Sequence, residues 1–247
     1  MKIPTMKQII MRIIAIIALI ELAIMVILVS IPFDLGSFLE AILDVTLLAV
    51  LSTPIIYIWI IKPYINAHEE VVDKVNHMAY HDQLTQLANR NLLLEYLEKL
   101  VSSDVRYKLY GALLYIDLDG FKIINDNNGH DAGDAILIEV AKRFQLLVRT
   151  EDIVSRVGGD EFIIVLGQLN ADEKTANNKA LLTSERIQKE LSKAINFKSM
   201  TLQISSSIGI RLLAPERTSV EVILKDADTA MYRAKQAGKG GIVVFNK

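Results

Sequence analysis

Residues Ile153 to Leu166 read IVSRVGGDEFIIVL, two short β-type runs on either side of Gly158, Gly159, Asp160 and Glu161. A Gly-Gly pair between two such runs signals a tight hairpin, because primed turns need φ > 0. Upstream, Gly111 to Asp117 is a continuous apolar run ending in an acid, the pattern of a strand buried on both faces. Ala132 to Val148, Leu181 to Ile195 and Val220 to Ala237 carry helical periodicity, while Leu202 to Leu213 and Ile242 to Phe245 are strand-like. Strands and helices therefore alternate around the hairpin from Tyr110 onward.

Two acidic positions matter in this order of elements. Asp117 and Asp119 fall where the first strand ends, and Asp160 and Glu161 sit at the hairpin tip. If the hairpin pairs beside the first strand, these carboxylates converge at one edge of the sheet. Hard oxygen ligands placed in this way suit Mg²⁺, which usually takes one or two carboxylates plus substrate phosphates. Such an ion neutralises phosphate charge and helps activate an attacking hydroxyl. Taken alone, two acids near a turn are more often solvated surface. Asp117 to Asp134 fails as an EF-hand, because its offsets do not give alternating oxygen ligands closed by a glutamate at the twelfth position. The chain of 247 residues has no cysteine, which excludes disulfides, thiolate metal sites and cysteine nucleophiles. A formal net charge of -2 gives no basic field for nucleic acid.

The apolar excess lies before residue 62. Ile9 to Ile31 is almost wholly apolar, with Arg12 near its start and Glu21 in its middle. As a helix it would reach roughly 34 Å, enough for a hydrocarbon core of about 30 Å. Pro32, Phe33, Asp34, Leu35 and Gly36 form a turn-like break, and a second apolar run extends from about Phe38 to Ile61. Lys62 and Pro63 are expected to end it, with Trp59 and Tyr64 as interfacial anchors. Lys2, Lys7 and Arg12 precede the first span and Lys62 follows the second, whereas the intervening loop holds only acids. The positive-inside rule then puts both ends in the cytoplasm. A signal peptide would have a shorter apolar core and a small-residue cleavage site, which is not seen after Ser30. Residues 1–61 are thus expected to be a two-span anchor in a lipid bilayer, and 62–79 a helical linker.

In that linker Val71, Val75 and Met78 make a one-sided stripe, which fits either a short parallel coiled coil between two protomers or a plain amphipathic helix. In YHDQLTQLANR, Tyr80 to Arg90, the residues Asp82, Thr85 and Asn89 are capping types around a turn, before a periodic run from Leu92 to Leu100. His81 has no Gly-rich ATP-binding segment after it, so it reads as structural rather than as a phosphate acceptor.

Four stretches now combine: DQLTQLANR from Asp82, DLDGFKIINDNNGHDAGDAI from Asp117, RVGGDEF from Arg156 and ADTAMYRAKQAGKG from Ala227. Together they resemble the GGDEF family of diguanylate cyclases over roughly 80–247. The resemblance implies an α+β fold, a mixed and mostly antiparallel sheet flanked by helices, related to class III adenylate cyclases and polymerase palm domains. It implies that Asp117 and Asp160, with the Leu118 carbonyl, bind Mg²⁺, with Mn²⁺ as the alternative ion. Gly158 and Gly159 would let the nucleotide approach the hairpin backbone, and Glu161 would assist the metal or deprotonate a 3′-hydroxyl. Asn125 and Asp134 match the pair that reads guanine; Phe121 and Lys122 fall in the turn that cradles phosphates; Lys235 matches a phosphate-binding lysine. Lys239 departs from the family pattern, standing where GRN usually has arginine; the charge is kept and the bidentate fork is lost.

The reaction this implies joins two GTP molecules into cyclic di-GMP and releases pyrophosphate twice. One GTP sits on each of two facing domains, so a homodimer is required. Arg149 and Asp152 form an R-x-x-D whose spacing to Gly158 resembles the family's inhibitory product site, although the same pattern also occurs as a surface ion pair. The alternative function is an idle, membrane-tethered receptor for cyclic di-GMP or GTP. A phosphodiesterase domain is not expected, since Lys247 follows directly on the last strand-like run. The implied location is the inner membrane of a bacterium, with the catalytic domain in the cytoplasm.

Overall fold

A computed structural model describes residues 5–30, 37–198, 200–216 and 218–246. The expected break at Pro32 to Gly36 lies outside them. The chain divides into two compact units, Met1–Asn76 and His77–Lys247.

In the first unit, α1 (Met6–Val29) opens on a capping box. The Thr5 hydroxyl accepts from the Gln8 N–H, and the Gln8 side chain accepts from the Thr5 N–H. α2 (Ser37–Ile56) follows. α1 lies against it, and Ile24 and Ser52 are buried. Along both helices hydroxyls bond back to carbonyls one turn earlier, Ser30 to Val26, Thr46 to Ile42 and Thr53 to Ala49, so these three need no water. The other apolar side chains of these helices are exposed or half-buried, and by length and composition Met6–Val29 and Phe38–Tyr80 could each cross a membrane.

The helix does not stop where the second apolar run gives way to Lys62 and Pro63. A π-helical turn, Tyr57–Ile61, passes directly into α3 (Lys62–Tyr80). A proline lacks an N–H and its ring collides with the carbonyl four residues back, which normally breaks a helix. Here the Lys62 N–H bonds to the Tyr57 carbonyl, five residues back, so the coil is widened just where the Pro63 ring enters. Val71, Val75 and Met78 are exposed along α3.

In the second unit the Asp82 carboxylate accepts from the N–H and hydroxyl of Thr85, and the Asn89 side chain caps α4 (Arg90–Tyr107). His81 bonds to the Gln86 carbonyl and stacks on His77. The elements that follow are β1 (Tyr110–Asp119), α5 (Phe121–Asn128), α6 (His130–Leu147), β2 (Ile153–Gly158), β3 (Glu161–Asn170) and α7 (Glu173–Leu191). The chain continues through β4 (Ile195–Phe197), β5 (Met200–Leu202), β6 (Ser205–Leu213), α8 (Val220–Gln236) and β7 (Ile242–Val244). One sheet has the order β2-β3-β1-β6-β7; every neighbouring pair is antiparallel except β6 and β7. β4 and β5 form a separate hairpin.

Several boundaries differ from the sequence reading. Ile195 belongs to a strand, because the α7 helix stops at Leu191. The strand expected from Leu202 is broken, with β5 ending there and β6 starting at Ser205. α5 was not expected: its N-cap, Gly120, has φ 77 and offers no side-chain cap, so no start signal is visible.

β1 is the central strand, and its residues alternate between two cores. Ala112, Leu114, Ile116 and Leu118 face one core with Val140 and Phe144 of α6 and Ala180 and Ile187 of α7. Phe144 meets Phe162 edge-on, with ring centroids 5.3 Å apart. Leu113 faces the other core, with Leu93 and Leu97 of α4 and Ala227 of α8. A Cβ at Gly209 in β6 would lie 2.1 Å from the Ala227 carbonyl, so this glycine is what lets α8 seat directly on the sheet. By the period of two, Tyr115, Asp117 and Asp119 are on the same face as Leu113, beneath α8.

Candidate active site

Antiparallel pairing of β1 with β3 sets Asp117 opposite Glu161. The adjoining turn carries Asp160, whose carbonyl accepts from the Leu118 N–H at 3.2 Å. The sheet therefore brings the two acidic positions together at one end. Asp117 is buried, and its carboxylate lies 2.7 Å from the Lys235 ammonium in the last turn of α8. Burial pushes the Asp117 carboxyl above its ordinary range; Lys235 opposes this, and the nearby Asp160 and Glu161 charges reinforce it. The Tyr115 hydroxyl donates to Glu161 at 3.3 Å, and burial followed by the Glu161 charge raises the tyrosine pKa.

The hairpin glycines do not act through positive φ, since neither Gly158 nor Gly159 lies in the left-handed region. Their importance is spatial. A Cβ at Gly159 would meet nothing within 4 Å, and one at Gly158 only the Glu161 carboxylate at 3.4 Å, leaving this backbone open to a ligand.

Phe121 and Lys122 lie in the first turn of α5 rather than in an irregular turn. Phe121 is buried and Lys122 exposed. Asn125 of α5 turns toward α6. Its Oδ1 is buried without a hydrogen-bond partner, and a Cβ on Gly133 would stand 1.9 Å from it. Asp134, the next residue, is exposed. Lys239 is exposed in the loop after α8, with φ 63. Asp119 accepts from the hydroxyls of Ser205 and Ser207 and from the Gly240 N–H.

Arg149 and Asp152 lie at the other end of β2 from the glycines, roughly 20 Å away by strand rise. The Asp152 carboxylate accepts from the Arg149 N–H at 3.0 Å and the Gly167 N–H at 3.1 Å. Burial raises its pKa, against those two bonds. The Arg149 guanidinium is exposed, 3.8 Å from Glu151.

The donor set suits a small hard cation. Asp117, Asp160 and the backbone at Leu118 offer oxygens only, and Lys235 already sets a positive charge against Asp117. Among the described residues no three His, Asp or Glu side chains form a metal cluster by themselves. Sequence reasoning missed Tyr115, Gly133 and the bonding of Asp119. Only Tyr115 had a signal, two residues before Asp117 on the same face.

One region of the chain is similar to several known proteins. It is 38% identical over 168 residues to the bifunctional diguanylate cyclase/cyclic di-GMP phosphodiesterase MucR of Pseudomonas aeruginosa, covering 68% of this chain and 24% of that protein. It is 36% identical over 165 residues to the diguanylate cyclase TpbB of the same species, covering 66% of this chain and 37% of the relative. The chain thus spans well under half the length of these curated relatives. The crystallised GGDEF domain of TpbB superposes with a TM-score of 0.64 at 34% identity, over 68% of this chain and 95% of that one. The GGDEF domain of DgcB from Caulobacter crescentus, solved with c-di-GMP, gives 0.62 at 26% identity, over 68% and 94%. The family model described as "Diguanylate cyclase, GGDEF domain" matches residues 79–241, and with acids, glycines and sheet arranged as above, this chain belongs to the GGDEF family.

Proposed function

We propose that the chain is a membrane-anchored diguanylate cyclase that condenses two GTP into cyclic di-GMP. The observation that carries this is the β1–β3 register, which sets Asp117 against Glu161 with Asp160 beside them and Lys235 2.7 Å from Asp117. TpbB, named as a diguanylate cyclase, supports the same activity, and the DgcB domain solved with c-di-GMP supports the same product.

Asp117, Asp160 and the Leu118 carbonyl would hold Mg²⁺, or Mn²⁺ in its place. When bound, the ion supplies charge neutralisation at the triphosphate and lowers the pKa of a coordinated hydroxyl. The chain's own groups bind and orient. The orphan Asn125 Oδ1 accepts from the guanine amino group while its amide donates to N3, and Asp134 accepts from N1–H. The open backbone at Gly158 and Gly159 admits the nucleotide, and Phe121, Lys122, Lys235 and Lys239 bind phosphates. The 3′-oxygen of one GTP forms a bond to the α-phosphorus of the other, the bond to pyrophosphate breaks, and Glu161 takes the hydroxyl proton. A second, symmetry-related step closes the ring.

Two domains must face each other, so the working unit is a homodimer. Residues 1–61 serve as the anchor, 62–79 as linker and 80–247 as catalytic domain, with both termini in the cytoplasm of a bacterium. The exposed apolar surfaces of α1 and α2 support the anchor, and tethering raises the effective concentration of partner domains. Arg149 and Asp152 form the inhibitory product site, where an exposed guanidinium, 3.8 Å from Glu151, can exchange that partner for a phosphate and stack on guanine.

The test is to incubate the full chain in lipid nanodiscs with GTP and Mg²⁺ and identify the product by mass spectrometry. Cyclic di-GMP is expected. A dimeric sample that binds GTP or cyclic di-GMP and makes no product is instead a receptor.

A further inference from the structure

We infer that Asp119 is a positioning residue for the triphosphate, holding the Gly238–Gly241 loop so that Lys235 and Lys239 are fixed at the end of β1. This rests on reading the site as a GTP site. Asp119 lies two residues beyond Asp117, on the same face of the strand. One carboxylate oxygen accepts from the Ser207 hydroxyl at 2.8 Å; the other accepts from the Ser205 hydroxyl at 3.1 Å and the Gly240 N–H at 3.0 Å. The two acids thus tie the same end of α8 to β1, Asp117 through the Lys235 side chain and Asp119 through the backbone of the loop that follows.

The loop needs such a tie. Gly238, Lys239 and Gly240 have φ of 126, 63 and 63, three successive residues in a region that side chains disfavour. Glycines there permit the conformation without enforcing it. The restraint comes from outside: Asp119 grips the Gly240 N–H, and Gln188 donates to the Gly240 carbonyl at 2.9 Å. Lys239 is a point charge on a flexible stem without the arginine fork, so its aim depends on where its backbone is held.

The probes are 3′-deoxy-GTP, which lacks the attacking hydroxyl, and GMP, which lacks the outer phosphates; binding is measured on the full chain in nanodiscs. Asp119→Ala is expected to weaken 3′-deoxy-GTP binding about tenfold and leave GMP within about twofold. Asp119→Asn, which still accepts from the Gly240 N–H, is expected to recover affinity to within about threefold of the unmutated chain. Combined with Lys239→Ala, Asp119→Ala is expected to add less than it costs alone, because the Lys239 contact is lost only once and the remaining loss is that of Lys235. Equal loss for both nucleotides, full additivity with Lys239→Ala, or unchanged triphosphate binding overturns the inference. Should Asp119→Ala fail to fold, Ser207→Ala must show a smaller loss confined to the triphosphate, and its absence is equally decisive. If the unmutated chain binds neither nucleotide, the cyclase reading falls first and this inference with it.

Discussion

A Cβ on residue 133 would stand 1.9 Å from the side-chain oxygen of Asn125, so the glycine of α6 is the space that the α5 asparagine occupies. The Phe121 ring, 3.1 Å from the same point, closes the space from the other side. The result is a buried acceptor held at the α5–α6 corner with no partner of its own. A buried acceptor left unpaired costs free energy, on the order of 1–3 kcal/mol, which a ligand donor would recover.

Gly133→Ala tests that relationship. The clash falls on the far end of a side chain, which can rotate away, and alanine favours a helix by up to about 1 kcal/mol over glycine. Thermal stability should therefore stay within about 1 kcal/mol of the unmutated chain, while the displaced Asn125 lowers GTP affinity at least about tenfold. Calorimetry on the same preparation reads both quantities; intact affinity would remove Asn125 from the guanine site.

Asp160 lies half-buried in the hairpin turn and bonds to the Leu118 N–H through its backbone carbonyl, which a side-chain change leaves in place, so Asp160→Ala should fold normally. Loss of a metal carboxylate should reduce cyclic di-GMP formation by about a thousandfold or more, as removal of a charge-stabilising group does elsewhere. Chelating divalent ions should do the same to the unmutated chain. Appreciable turnover in the variant would contradict the metal assignment.

The two halves of the R-x-x-D should separate in experiment. Arg149 is exposed, so Arg149→Ala should change stability by no more than about 0.5 kcal/mol, leave the initial rate intact and relieve inhibition by added cyclic di-GMP. Asp152 holds the N–H groups of Arg149 and Gly167, so Asp152→Ala should cost about 1–3 kcal/mol in a denaturant titration. Inhibition unchanged in Arg149→Ala would dismiss the product site.

Asp82 gives a pH signature. Burial would raise its pKa, but the Thr85 hydroxyl and N–H, then Arg156, outweigh burial and hold it below the ordinary range. A carboxyl depressed on folding stabilises the native state above its unfolded pKa of about 3.9, and that contribution fades as pH falls from there through the folded value. Asp82→Asn should thus be less stable by about 1–3 kcal/mol near pH 7, with the difference shrinking below about pH 4. A gap independent of pH would mean that the ionised form is not what Thr85 and Arg156 stabilise.

Much of this arrangement could be read from the chain itself. β1 and the β2–β3 hairpin declare themselves through apolar runs and paired glycines, and the Asp117–Asp160 convergence follows once those strands pair. What stayed hidden depends on partners distant in sequence. Nothing near Lys235 says that it will meet Asp117, and nothing near Gly133 says that Asn125 will fill its space. α5 lacks a side-chain cap, and the β4–β5 hairpin turns through Lys198 at φ 53 without a glycine to announce it. The π-helical turn before Pro63 was also hidden, since nothing in residues 57–61 announces a turn wide enough to carry the helix past a proline.

That wider turn has a consequence for the length of the helix. A π-turn stores one surplus residue, so excising any one of 57–61 should leave Val71 and Val75 at nearly the same azimuth while removing the wide turn that admits the Pro63 ring. An excision between Lys62 and Val71 has no such slack and swings Val71 and Val75 around the axis by about 100°.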